Sequence, residues 1–158
     1  MEKASKKTQG ARTTPNDPLR LEAQLCFAVY SALGGINKVY RMLLRDLNLT
    51  YPQYLVMLVL WERSPLNVSE LCEQLLLETP TITPLLKRLE ARGLVRRSRS
   101  AEDERQVILS LTDAGRALRR RAEKIPDCVA EAMGLSARDL SALREQLILL
   151  RTNLLGAA

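Results

Sequence analysis

Hydrophobic positions recur along this chain at two spacings, and the switch between them marks out its architecture. Over 17–92 apolar residues fall three or four apart, the period of an amphipathic helix; over 94–111 they alternate, as in a strand; beyond 112 the helical period returns. Asp17-Pro18 reads as a helix start, an N-cap oxygen followed by proline at the first helical position. The stripe Leu21, Leu25, Ala28, Val29 and Ala32 follows. Gly34-Gly35 is expected to weaken or bend this helix before the pattern resumes through Ile36, Val39, Met42, Leu43 and Leu47.

Thr50 is placed to cap a second helix whose run over 54–61 is almost wholly apolar, so it is expected at the centre of the core. Asn67 with Glu70 predicts a capping box, and Val68, Leu71, Leu75 and Leu76 the inner face of a short helix. A turn over 77–79 leads to a further helix over 80–92 with Ile82, Leu85, Leu86 and Leu89 inward and Gly93 as its stop. Two alternating segments over 94–99 and 106–111, joined by the polar tip 101–105, read as a hairpin. Thr112 caps a helix rich in arginine that Pro126 interrupts. Ser136 with Asp139 caps a last helix bearing Leu140, Leu143, Leu147, Leu150 and Leu154.

These elements predict a mainly α fold with a small β-hairpin: a winged helix-turn-helix over 50–112 within a single domain spanning 17–158. The apolar-faced helices over 17–48 and 113–158 exceed what one compact domain buries, which implies a homodimer built from both chain ends. Residues 1–16 are polar, basic and without periodicity, and are expected to form a disordered arm.

Composition sharpens this picture. An apolar fraction of 46% supplies a core, while 4% aromatic residues favour helices over a sandwich. No apolar run reaches the ~18 residues needed to cross a bilayer, so no membrane role and a cytoplasmic location are expected. The net charge of +6 is concentrated: residues 87–124 hold 12 Lys/Arg against 6 Asp/Glu, and the remainder is balanced. Such a segment marks a polyanion partner, double-stranded DNA given the predicted fold. On the helix over 80–92, Thr81, Thr83, Lys87 and Arg88 face outward, with Thr79 at its threshold. Threonines suit base edges or thymine methyls, Arg88 a guanine and Lys87 a phosphate. Arg105 at the wing tip suits a narrow minor groove, with Asp103 two residues earlier placed to hold its guanidinium.

The chain has no histidine, and its three cysteines, at 26, 72 and 128, lack metal-ligand spacing, so no metal or other cofactor is expected. Cys26 lies in an apolar helical segment, where a cysteine is either core filler or a redox centre. Thiolates react and thiols do not, and the phenols of Tyr30, Tyr40 and Tyr51 can stabilise a thiolate where histidine is missing. Cys72 reads as filler, and Cys128 lies beside Pro126 where a helix start can move.

Four segments together carry a resemblance. Gln24-Leu25-Cys26-Phe27-Ala28-Val29-Tyr30, Leu49-Thr50-Tyr51-Pro52-Gln53-Tyr54-Leu55-Val56-Met57-Leu58-Val59-Leu60-Trp61-Glu62, Thr83-Pro84-Leu85-Leu86-Lys87-Arg88-Leu89-Glu90 and Glu102-Asp103-Glu104-Arg105 resemble the organic hydroperoxide resistance regulators of the MarR family. The resemblance implies a homodimeric winged-helix repressor, not an enzyme, that leaves its operator when an organic hydroperoxide oxidises Cys26. It implies hydrogen bonds from Tyr40 and Tyr51 to that sulfur, and a resolving role for Cys128 of the other subunit. Thr79-Pro80 departs from the Ser-Gly common in the family at this point. The alternative trigger is a small phenolic ligand bound between the dimer helices and the reading motif, independent of cysteine oxidation. A thiol peroxidase is disfavoured by the missing two-cysteine active-site motif and by the basic wing, and a helical interaction module without a DNA role predicts no salt-dependent DNA binding.

Overall fold

The computed structural model describes residues 17–100, 103 and 105–157, so the arm predicted over 1–16 lies outside the described residues. The chain forms two compact units, Met1–Ile36 and Asn37–Ala158. In the first, the helix predicted from Pro18 does not form there. Asp17 Oδ1 accepts the Leu19 N–H at 2.9 Å, and the Gln24 side-chain amide donates to the carbonyls of Pro18 and Arg20. These side-chain bonds offer the backbone a turn in place of a helix. A 3-10 turn, Leu21–Ala23, follows, and helix α1 (Leu25–Leu43) begins only afterwards. Nor does Gly34-Gly35 break α1, which runs through both. Each glycine costs about 1 kcal/mol against alanine, and the helix-favouring neighbours outweigh it.

The second unit is built around helix α2 (Tyr51–Glu62), whose Gln53 Oε1 accepts the Thr50 N–H at 2.9 Å at the predicted start. Tyr54, Val56, Met57, Val59 and Leu60 are all buried, so α2 forms the centre of the core and leaves only Pro52, Leu58 and Glu62 exposed. Helix α3 (Val68–Leu75) opens with the predicted capping box: Asn67 Oδ1 accepts the Glu70 N–H at 2.8 Å and Glu70 Oε2 accepts the Asn67 N–H at 2.7 Å. Leu71 is fully buried. Leu76, expected on the same inner face, instead ends the helix at φ 53° and is 53% exposed, because the turn out of α3 takes a left-handed residue there.

Helix α4 (Thr79–Ala91) seats Ile82, Leu86 and Leu89 in the core and stops at Gly93, φ 67°. Strands β2 (Val95–Arg99) and β3 (Val107–Leu111) form the predicted hairpin, one residue shorter at each start than the alternation suggested. A third strand, β1 (Leu66–Asn67), pairs antiparallel with β3 through Leu66↔Leu109 and Asn67↔Ile108, giving the order β1-β3-β2. The fold is therefore a winged helix-turn-helix with a three-stranded sheet.

Helices α5 (Asp113–Ala122), α6 (Ile125–Met133) and α7 (Ala137–Gly156) complete the chain. Thr112 Oγ1 accepts the Gly115 N–H at 3.0 Å and Ser136 Oγ the Asp139 N–H at 3.1 Å, so both predicted caps are present. Neither α1 nor α7 buries a single residue. Leu25, Tyr30 and Leu33 on α1, and Leu149, Leu154 and Leu155 on α7, stand in solvent. Among the described residues no helix is long and apolar enough to cross a membrane.

Candidate functional site

Helix α4 presents one exposed stripe at helical spacing: Pro80, Thr81, Pro84, Lys87 and Arg88. Its opposite face is anchored in the core, so the stripe is held rigidly outward. The side chains of Lys87 and Arg88 make no ion pair or hydrogen bond among the described residues, which leaves both charges free for a partner. The threonines divide. Thr81 is exposed, whereas the half-buried Thr83 turns its hydroxyl back to donate to the Thr79 carbonyl at 2.8 Å, and the Thr79 hydroxyl lies 3.7 Å from Cys72 Sγ. Of the outward positions expected from the sequence, Thr81, Lys87 and Arg88 therefore stand free, Thr79 is exposed with its hydroxyl beside Cys72 Sγ, and Thr83 returns its hydroxyl to the backbone.

The wing is fastened to α4 by a pair that sequence reasoning missed. Arg97 on β2 grips the Glu90 carboxylate with Nη2 and Nε at 2.6 and 2.7 Å, and the Arg97 N–H donates to its other oxygen at 3.2 Å. The Arg97 guanidinium beside it holds the Glu90 carboxyl below the usual glutamate range. A depressed carboxylate contributes stability that is complete above its ordinary pKa and is lost as the pH falls below about 4.5 and through the lowered value. Glu90→Gln is accordingly expected to unfold at lower denaturant concentration than the parent at neutral pH and to flatten the acid-side loss of stability. Equilibrium unfolding across this pH range checks it, and parallel curves for the two proteins refute it.

At the wing tip, Asp103 Oδ1 accepts the Arg105 backbone N–H at 3.0 Å and Oδ2 accepts from the Gln106 amide at 3.2 Å. The carboxylate thus closes the turn instead of clasping the Arg105 guanidinium as the sequence suggested; a short acidic side chain reaches the backbone two residues on more readily than a distant side-chain tip. Arg105 is exposed and joins Asn67, Ser69, Thr79, Thr83 and Arg97 around a groove of about 390 Å³ between the starts of α3 and α4 and the wing. Its lining sets these polar and basic side chains among the apolar Val68, Leu86 and Val107, and Arg105 at its mouth is the cation placed for a phosphate backbone.

Not all of the basic segment faces outward. Besides Arg97, Arg92 donates to the carbonyls of Leu47 and Asn48, Arg116 to Leu111 O and Asp113, and Arg121 to Asp46 O. These arginines tie loops and helix ends together, so only part of the local charge excess is available to a polyanion.

A second joint sets the base of the wing. Thr112 donates its N–H to Leu94 O at 3.2 Å and its hydroxyl to Gly93 O at 2.5 Å, and Trp61 Nε1 on α2 donates to Gly115 O at 2.9 Å. Gly115 sits so close to this strand that a Cβ on it would lie 2.1 Å from Leu94 O.

The tyrosines form a cluster in the second unit. The rings of Tyr40 and Tyr51 stack with centroids 4.1 Å apart, and Tyr54 tilts against Tyr40 at 5.8 Å. Burial, then the neighbouring Tyr51 and Tyr54, push Tyr40 up to about 12; burial likewise raises Tyr51 and Tyr54. Tyr40 therefore remains a protonated hydrogen-bond donor at every ordinary pH. In the first unit Cys26 is exposed near the start of α1, not core filler, and Cys72 and Cys128 are half-buried free thiols in the second.

Over residues 38–121 the chain matches the family described as transcriptional regulator SarA/Rot. It is 46% identical over 151 residues to the HTH-type transcriptional regulator TtmR of Methylorubrum extorquens strain PA1, covering 96% of this chain and 77% of that one. It is 46% identical over 131 residues to the organic hydroperoxide resistance transcriptional regulator of Bacillus subtilis strain 168, covering 83% and 89%. Among solved structures it is similar to AbfR of Staphylococcus epidermidis. Reduced AbfR bound to DNA gives a TM-score of 0.71 at 34% identity over 86% of this chain and 95% of that one. Disulfide-formed AbfR gives 0.62 at 33% over 87% and 93%.

Proposed function

Because the chain belongs to the MarR family of winged-helix transcriptional regulators, as a relative of the organic hydroperoxide resistance and SarA/Rot proteins, we propose that it is a redox-sensing repressor. It binds operator DNA as a reduced homodimer and lets go when an organic hydroperoxide oxidises Cys26. The observation that carries the reading is the free stripe of α4, with Lys87 and Arg88 unpaired, beside the basic groove that ends in Arg105. A helix of this kind fits the major groove, and a wing fits the adjoining minor groove.

The second copy supplies what the exposed apolar residues of α1 and α7 lack. Side chains such as Leu25, Leu33 and Leu154 are each worth about 1.5–3 kcal/mol on full burial, which favours association through these helices. Dimerisation also frames the thiol chemistry. Cys26 and Tyr40 stand fourteen residues apart in the sequence, and in this reading the phenol–sulfur hydrogen bond is built between copies. Tyr40 and Tyr51, stacked and held protonated, suit the role of donors to the Cys26 thiolate of the partner.

The thiolate attacks the peroxide; the O–O bond breaks, the alcohol leaves, and Cys26 becomes a sulfenic acid. The thiol of Cys128 in the other subunit then attacks that sulfur, water leaves, and an intersubunit disulfide forms. Two Cα atoms must lie within about 7 Å for the bond to close, so its formation shifts helices and spoils the spacing of the two reading heads. The similar AbfR is known on DNA both reduced and overoxidised, and also in a disulfide-formed state, which favours the disulfide over oxidation alone as the step that couples to DNA.

The test begins with the reduced protein on DNA, whose affinity is expected to fall steeply with salt and to fall again on adding cumene hydroperoxide. In the same samples Cys128→Ser should abolish the peroxide-induced covalent dimer on non-reducing gels while leaving the Cys26 sulfenic acid detectable by intact mass. A covalent dimer that persists in this variant removes Cys128 from the resolving role.

A further inference from the structure

We propose that the front of α4 reads thymine methyl groups through Pro80, with Thr81 and Pro84 beside it, and that Pro80 is a specificity determinant of the operator. The inference rests on the reading above that α4 enters the major groove.

The first turn of a recognition helix normally offers backbone N–H groups to phosphate. Here that capacity is narrowed to the Thr79 N–H. Pro80 has no N–H, the N–H groups of Thr81 and Ile82 both donate to Glu78 O at 3.0 and 3.2 Å, and the N-cap position is the acidic Glu78. The carboxylate repels a phosphate from the same place. Side-chain donors are scarce as well, since Thr83 bonds the Thr79 carbonyl and the Thr79 hydroxyl faces Cys72 Sγ. What remains exposed at the front is mostly carbon: the rings of Pro80 and Pro84 flank the methyl of Thr81, whose hydroxyl is the free polar group between them. The cations Lys87 and Arg88 follow about one turn behind Pro84 and two behind Pro80 on the same stripe. Phosphate neutralisation thus falls to the rear of α4 and to the wing, and the part that reaches deepest into the groove is matched to the one apolar group there, the C5 methyl of thymine.

The experiment starts by selecting duplexes from random DNA with the reduced full-length protein, then replaces each thymine of the selected half-site by uracil, which removes only that methyl. At one or two adjacent positions the parent protein is expected to lose affinity roughly fourfold per half-site, the worth of one buried methyl. Where cytosine is placed there, 5-methylcytosine should bind correspondingly tighter than cytosine. Pro80→Gly should bind the thymine and uracil duplexes equally at one of these positions, and Pro80→Ala should fall between. Because the readout is a ratio between two duplexes, a general loss of affinity in a variant does not affect it. Indifference of the parent to uracil at every position, or a full penalty retained in Pro80→Gly, overturns the inference while leaving DNA binding intact. If no sequence is enriched at all, the DNA-binding reading falls and takes this inference with it.

Discussion

Cys26→Ser is expected to yield a repressor that organic hydroperoxide cannot dislodge. In the parent, a hundredfold loss of operator affinity on oxidation requires the DNA-incompetent arrangement to be favoured by about 2.7 kcal/mol, which the closure of one intersubunit disulfide can supply. Serine keeps the size and hydrogen-bonding reach of the thiol but cannot form a sulfenic acid, so no step of the sequence can begin. Serine can also keep the proposed hydrogen bonds from the partner's phenols, so binding by the untreated protein should stay within about twofold of the parent. The variant retains Cys72 and Cys128, which makes it its own control. Gel shifts with and without cumene hydroperoxide check the outcome. Release from Cys26→Ser would transfer the trigger to another thiol, with Cys72 at 3.7 Å from the Thr79 hydroxyl first in line. Release by a small phenol after all three cysteines are replaced would identify a ligand switch instead.

What could be read from the sequence was whatever is settled within one turn of chain. The capping box of Asn67 and Glu70, the caps at Thr112 and Ser136, and the stop at Gly93 all depend on bonds spanning a few residues, and all are present where the pattern put them. Local competition was harder. Asp17 and Gln24 bond the backbone around Pro18 and delay α1, an outcome that propensity alone does not weigh against a good N-cap. Long-range partners were not legible. Strand β1 is two residues long, too short to show alternation, and exists only because Leu109 lies across from Leu66. Arg97 looks like one more cation of a basic segment until Glu90 is found beneath it. The same blindness applied to the site: the sequence marked Thr79 and Thr83 as outward-facing but could not show where their hydroxyls turn, and it marked Thr79-Pro80 as a departure without showing which donors surround Pro80.

Gly115→Ala should be among the most damaging single-methyl changes available to this protein, although helix propensity predicts the opposite sign. Alanine in place of glycine inside a helix ordinarily stabilises by about 1 kcal/mol. Here Gly115 packs the first turn of α5 directly on the backbone of the wing: an added Cβ would stand 2.1 Å from Leu94 O and 3.1 Å from Leu111 Cδ2. The carbonyl cannot yield cheaply, because it accepts the Thr112 N–H while the Thr112 hydroxyl pins the adjoining Gly93 O, and α5 cannot retreat without stretching the 2.9 Å bond from Trp61 Nε1 to Gly115 O. Relief must break at least one buried backbone partnership and shift the wing base, a cost of about 3–5 kcal/mol against a typical total of 5–15. Trp61 is the chain's one tryptophan, so its fluorescence reports on this joint alone. A fall in Tm of roughly 10 °C or more is expected, with an altered Trp61 emission in the folded protein at low temperature. Operator affinity should drop under the same conditions, since Arg97 and Arg105 travel with the wing. A variant as stable as the parent, or more so, would mean that α5 and the wing do not meet at this carbonyl and that propensity rules the position after all.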